Sequence, residues 1–167
     1  MKKLILTVAF AALSTALFAQ NYAVVNSEKV FKSIDAYNTA LTQLDKLAEQ
    51  YQQTVDKAFD ELETTYNNYQ ARKATMSASS RQTQEDAIIA REKEIAKYQQ
   101  SIFGTEGTLM KKRVELIKPI QDRVFKVIEE YAQSHGYDLV IDIAGNPTLL
   151  YYKPSADKTE EIIRLVK

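Results

Sequence analysis

Between residues 41 and 116 the apolar side chains keep a seven-residue repeat on either side of a polar gap. Leu41, Leu44, Ala48, Tyr51, Val55, Ala58 and Leu62 step by three and four, and Tyr69 closes the series. Such spacing draws one apolar stripe along a helix and marks a coiled-coil seam. Beyond the gap Ile88, Ile95, Ile102, Leu109 and Leu116 stand seven apart. The gap, "ARKATMSASSRQT" (71–83), holds one large apolar residue, Met76, around a Ser-rich centre. Two seams about a polar tip predict an antiparallel helical hairpin over 38–117, with its tip at about 71–83. About 35 residues per arm at 1.5 Å each gives a length on the order of 50 Å. The seam is loose, because Ala, Tyr and Thr65 stand where Leu and Ile would make a tight zipper.

The returning arm is interrupted twice. Gly104 and Gly107 in "FGTEGT" each cost about 1 kcal/mol in a helix interior relative to Ala. They read equally well as a hinge or as a local irregularity. Pro119 in "LIKPIQ" has no N–H to donate and is expected to end or kink its helix just before that point. Beyond it Val124, Val127, Ile128 and Tyr131 stripe a helix that ends near Gly136. "DAYNT" (35–39) reads as a polar break ahead of the first long helix.

The chain ends read differently. "YAVVN" (22–26) is a short strand apolar on both faces, and Ser27 is placed to cap the helix "EKVFKSI" with Glu28 at its positive end. "YDLVIDIAGNPTLLYYK" (137–153) reads as two strands around a Gly-Asn-Pro turn. Leu139, Ile141 and Ile143 share one face of the first, opposite Asp138, Val140 and Asp142. Asp157 and Glu160 fit a variant capping box for a last helix striped by Ile162, Ile163 and Val166. Two strands are too few for a stable sheet in water. The expectation is therefore a three-stranded sheet made from both chain ends, in a body of 20–37 and 118–167. Val24, Val25, Leu139, Val140, Ile141, Leu149 and Tyr151 would form its core, with cover from other copies of the chain. The fold class is mainly α with this small β body.

The opening "MKKLILTVAFAALSTALFAQ" has Lys2 and Lys3, an apolar run from Leu4 to Leu17 and then small residues. It reads as a signal peptide over 1–19, cleaved near Ala19, which makes the protein exported. Cysteine is absent, so neither disulfides nor thiol chemistry is available. Charge is balanced, 22 basic against 22 acidic, or 20 against 22 without Lys2 and Lys3. Nothing global points to nucleic acid.

The order "YAVVNSEKVF", a long helical hairpin, then "GYDLVIDIAGNPTLLYYKPSADKTEEIIRLVK" resembles the Skp/OmpH family of periplasmic chaperones. The likeness covers essentially the whole chain after the leader. It implies a trimer in which three hairpins hang from a shared body and hold unfolded outer-membrane proteins between them without ATP. It implies no catalytic residue. Members of this kind are often markedly basic, and this chain departs from that.

Individual residues carry weaker signals. Tyr51, Phe59, Tyr66, Tyr69, Tyr98 and Phe103 form a broader stripe than one seam can bury, so those left over are candidates for facing a client. Arg72, Lys73 and Arg81 have no acidic residue between Glu63 and Glu85, which makes the tip a candidate contact for an anionic membrane surface or acidic segment, or simply a solvated turn. His135 suits a helix C-terminus by dipole alone, and one His without Cys makes a zinc site improbable. Asp138 and Asp142 lie too far apart for a carboxylate dyad and read as surface or interface groups. No cofactor is expected. The competing reading is a structural coiled-coil envelope protein without chaperone activity.

Overall fold

The computed structural model describes residues 21–167, so the leader assignment over 1–19 falls outside the described residues. In chain order the elements are β1 (Tyr22–Val25), α1 (Ser27–Lys32), α2 (Asp35–Arg72), α3 (Ala78–Phe103), α4 (Thr108–His135), β2 (Leu139–Asp142) and α5 (Thr159–Val166). Short 3₁₀ turns stand at Lys73–Thr75 and Pro154–Ala156. The chain divides into two compact units. One is Ile34–Asp122, and the other joins the segment ending at Ser33 to Arg123–Lys167.

The first unit is the helical hairpin. α2 buries Ala40, Leu44, Val55 and Tyr69, and α3 buries Ile95 and Ile102. At the start of the hairpin Ala40, Leu44 and Ile117 form a core flanked by Tyr37, Leu41, Leu109, Leu116 and Ile120. Three expectations need correction here. "DAYNT" is helical, because Asp35 suits the positive first turn and the N–H groups of Tyr37 and Asn38 both reach the Ile34 carbonyl, at 3.0 and 3.2 Å. The tip is narrower than 71–83, since α2 continues through Arg72 and α3 begins at Ala78. Its serines cap rather than uncoil, with the Ser77 hydroxyl accepting from the Ser80 N–H at 3.2 Å. Finally, the helix does not end before Pro119, because α4 continues through it to His135. Pro119 and Glu115 are both exposed, so water can satisfy the Glu115 carbonyl that loses its donor, while buried Ile117 holds the turn in place.

The glycine pair separates α3 from α4. Gly104 N–H donates to the Gln100 carbonyl at 2.9 Å, and Gly107 N–H donates to the Gly104 carbonyl at 2.9 Å. A Cβ on Gly104 would lie 2.4 Å from the Gln100 carbonyl oxygen, and one on Gly107 would lie 2.4 Å from that of Ile102. The break also shifts the seam. Ile95 and Ile102 are buried, but the next buried apolar side chain is Ile117, with Leu109 and Leu116 only half-covered. From Ile102 to Ile117 is two heptads plus one residue, so the irregular segment absorbs a one-residue slip.

In the second unit β1 and β2 pair in parallel, with Tyr22 opposite Leu139, Val24 opposite Ile141 and Val25 opposite Asp142. The other edge of β1 bridges to Asp157, and Lys158 N–H donates to the Val24 carbonyl at 2.9 Å. Ala23, Val24 and Val25 are buried together with Val30 of α1, Val124 of α4, and Ile162 and Val166 of α5. Arg123 fastens the end of α5 by donating to the Val166 carbonyl at 2.7 Å. At the end of α4, Gly136 has φ +67, and Tyr137 N–H returns to the Ala132 carbonyl at 2.9 Å, a Schellman closure that only glycine adopts without strain.

The expected three-stranded sheet is thus corrected to two strands among the described residues. "TLLYY" is not a strand. Gly145 turns the chain with φ +64, and the Asn146 side chain accepts from Thr148 N–H at 3.1 Å. Both edges of β1 are then taken, by β2 and by Asp157. Two capping assignments shift as well. Asn26, not Ser27, caps α1 by accepting from Lys29 N–H at 3.0 Å, and Asp157 accepts from Thr159 N–H at 2.9 Å in place of a box with Glu160.

Replacing Gly107 with Ala forces the backbone at the break apart. The expected cost is about 1–3 kcal/mol. Thermal unfolding followed by circular dichroism should show a lower midpoint; an unchanged or raised one would mean that the close approach is dispensable.

Candidate functional site

The tip of the hairpin is held by a clasp. The Tyr69 hydroxyl donates to Glu85 Oε1, and Lys73 Nζ donates to the same oxygen at 3.0 Å while lying 5.3 Å from the Tyr69 ring centroid. Hydrogen bonds from Tyr69 and Lys73 hold the Glu85 carboxyl below its usual range. Bonding to Glu85 in turn raises Lys73, and desolvation followed by the bond to Glu85 raises Tyr69. Tyr69 is 5% exposed, so it sits in the seam and away from solvent. Of the three tip cations, Lys73 is engaged by Glu85, Arg72 Nε reaches the Asn68 carbonyl at 3.4 Å, and Arg81 is exposed. The sequence gap in acidic residues hid this pairing, because folding brings Glu85 across the turn.

Along the helices the other aromatic candidates separate by environment. Phe59, Tyr66, Tyr98 and Phe103 are exposed, at 41%, 47%, 36% and 36%, and Tyr51 is half-buried. Phe59 and Tyr66 are seven apart and therefore share one side of α2. Three further exposed apolar residues escaped the sequence reading: Ile89, Met110 and Val114. Met110 and Val114 follow the one-residue slip, so a strict heptad count could not place them. Among the described residues the hairpin thus has two kinds of apolar surface, a narrow buried seam and a wider exposed set.

The chain-end unit also leaves apolar surface uncovered. Val24, Val25, Val140 and Ile141 lie in the paired strands, the first two buried and the last two half-buried. Leu139 is 55% exposed, and Leu150 and Tyr151 are 93% and 78% exposed. Tyr22 of β1 and Leu139 and Ile141 of β2, with Leu149 and Tyr151, line an open groove of about 410 Å³. Phe125 and Leu165, also exposed, carried no sequence signal.

The two aspartates of this unit tie one chain end to the other. Asp138 Oδ2 accepts from Asn21 N–H at 3.1 Å. Asp142 accepts from the Ser27 hydroxyl at 2.5 Å and the Ser27 N–H at 3.1 Å, and its Oδ1 also takes Ala144 N–H at 2.9 Å. Partial burial works to raise the Asp142 pKa, but hydrogen bonds from the Ser27 hydroxyl and the two N–H groups outweigh it and hold the carboxyl low. His135 stacks on Tyr131 with centroids 4.0 Å apart, and its Nδ1 lies 2.8 Å from the Tyr131 carbonyl. Among the described residues no group of three or more His, Asp or Glu could hold a metal ion, and no helix is long and apolar enough to cross a membrane.

A long helical hairpin, joined to a small unit in which both chain ends meet, defines a protein whose apolar chemistry is spread over surfaces and not gathered in one cleft. The chain belongs to the OmpH-like family: the family model described as "Outer membrane protein (OmpH-like)" matches residues 21–166. This is the Skp/OmpH family of periplasmic chaperones, which bind outer-membrane proteins. No curated protein sequence matches the chain.

Because the Asp142 pKa is lowered on folding, its contribution to stability is present above the unfolded value and is lost as pH falls through the folded one. Discounted for its exposure, that contribution is about 1 kcal/mol. Asp142→Asn should therefore lower the melting temperature at pH 7 by a few degrees, and the difference from wild type should shrink as pH falls below about 4. A pH-independent difference would assign the loss to packing.

Proposed function

We propose that this chain is an exported, ATP-independent holdase that binds unfolded outer-membrane proteins and keeps them from aggregating. Three copies join through the chain-end unit, and client is held in the cavity between their hairpin arms. The observation that carries this reading is the exposed apolar set on the hairpin, Phe59, Tyr66, Ile89, Tyr98, Phe103, Met110 and Val114. A helix pair serving only as a rod would bury such residues in tight layers or replace them with charge. Spread singly among charged neighbours, they offer many weak contacts that add up on a flexible chain without trapping it. Membership of a chaperone family supports the same reading. The loose seam weighs against a purely structural envelope role.

The trimer rests on a separate observation. Leu150 and Tyr151 stand almost bare, and a small unit that exposes this much apolar surface gains by burying it against further copies. The Arg72 and Arg81 side chains are a contact for anionic lipid at the tip, in competition with a role as a merely solvated turn.

Two measurements test this. Denatured outer-membrane β-barrel protein diluted from urea should scatter less light when the trimer is in stoichiometric excess, with no nucleotide present; unchanged aggregation would refute the holdase reading. Native mass measurement should give three chains for the mature protein. Leu150→Asp, at a site 93% exposed in one chain, should leave helicity unchanged yet reduce the mass to that of a single chain. A charge at Ile141 should also abolish assembly, whereas one in the Ser77–Ser80 stretch should not.

A further inference from the structure

The glycine break does more than shift the seam: it opens a groove within the hairpin unit. Where α3 stops at Phe103 and α4 starts at Thr108, a cleft of about 440 Å³ forms against α2, floored by Leu44, Ala48, Leu109 and the Phe103 and Met110 side chains. Asp45 and Arg113 border it, and neither side chain makes a hydrogen bond or ion pair among the described residues. Phe103 and Met110 are 36% and 47% exposed, although both line the groove beside Leu44 and Leu109 of the hairpin core. The walls are set by close packing, because neither Gly104 nor Gly107 has room for a Cβ.

We propose that this groove is a client subsite that takes one large apolar side chain from an extended segment of a non-native outer-membrane protein. The proposal rests on the holdase reading and adds the place and the chemistry of a contact. The occupant follows from the complementarity of the lining. Strands of outer-membrane barrels alternate apolar and polar residues along an extended backbone. An apolar side chain of such a strand matches the floor. Its neighbouring polar side chains and bare peptide groups match an acid and a base that have no partners of their own. A cleft of this size holds one such side chain with space to spare, and methionine adapts to differently shaped occupants. Ile89 gives the contrast: it is as exposed as Met110, at 47%, but does not line the groove.

The test places a photo-crosslinking residue at Met110 and, separately, at Ile89 in the full assembly, and adds urea-denatured outer-membrane β-barrel protein as probe. Crosslinks to the client should be about fivefold more abundant from position 110, because a groove holds a side chain against it longer than an open helix face does. Met110→Asp should weaken client binding by a similar factor, while Gln99→Asp, at an exposed polar position of α3 that does not line the groove, leaves it within about twofold. Equal crosslinking from both positions, or crosslinks from 110 into another copy of this chain, would overturn the subsite while leaving the holdase reading intact. If wild-type protein binds no client at all, both fall. Circular dichroism on Met110→Asp establishes that helicity is retained; should it be lost, the crosslinking ratio alone decides.

Discussion

The whole arrangement depends on the backbone ladder between β1 and β2, which joins residues 117 apart in the chain. Parallel strands need a crossover, and here the crossover is the entire helical hairpin. Closing so long a loop from a disordered chain costs several kcal/mol of entropy. The hairpin lowers that cost by folding back on itself, since Ala40 and Leu44 at its start pack on Ile117 near its return. Once that core has formed, the loop to be closed is far shorter than the chain separation suggests. Asp138 and Asp142 then secure the ladder at its two ends, one on Asn21 and the other on Ser27.

The second organising constraint is the glycine break. A strict seven-residue repeat would bury Ile102, Leu109 and Leu116, but the chain buries Ile102 and Ile117. The extra residue must be absorbed somewhere, and the Gly104–Gly107 segment absorbs it where a side chain on either glycine would collide with backbone. The same slip turns Met110 and Val114 outward. Packing phase and surface chemistry therefore change together at one place, and the cleft between Phe103 and Met110 is the result.

Much of this was legible in residue order. Period-seven spacing announced the hairpin, the polar gap located its turn, and β-branched runs marked the two paired strands. The resemblance carried by "YAVVNSEKVF" and the C-terminal stretch led to the right family. What escaped was set by tertiary contacts. Pro119 stays within its helix, where Ile117 is buried and Glu115, the residue that loses its donor, is exposed. Leu149–Tyr152 reads as strand by composition, yet within one chain both edges of β1 are occupied. Lys73 looked like a free cation until folding brought Glu85 beside it. The exposed set on the arms was legible in part: Phe59 and Tyr66 flank the seam visibly, whereas Met110 could be placed only once the slip was known.

The pairing of β1 with β2 also sets a schedule for biogenesis. As the chain emerges, β1 comes first and β2 last, so Ala23, Val24 and Val25 have no complete cover until synthesis has passed Leu139. Every product terminated before that point carries an unsatisfied apolar strand at its leading end, whatever the state of its helices. Burial of the first strand is therefore a late event, waiting on β2 and then on Ile162 and Val166 of α5.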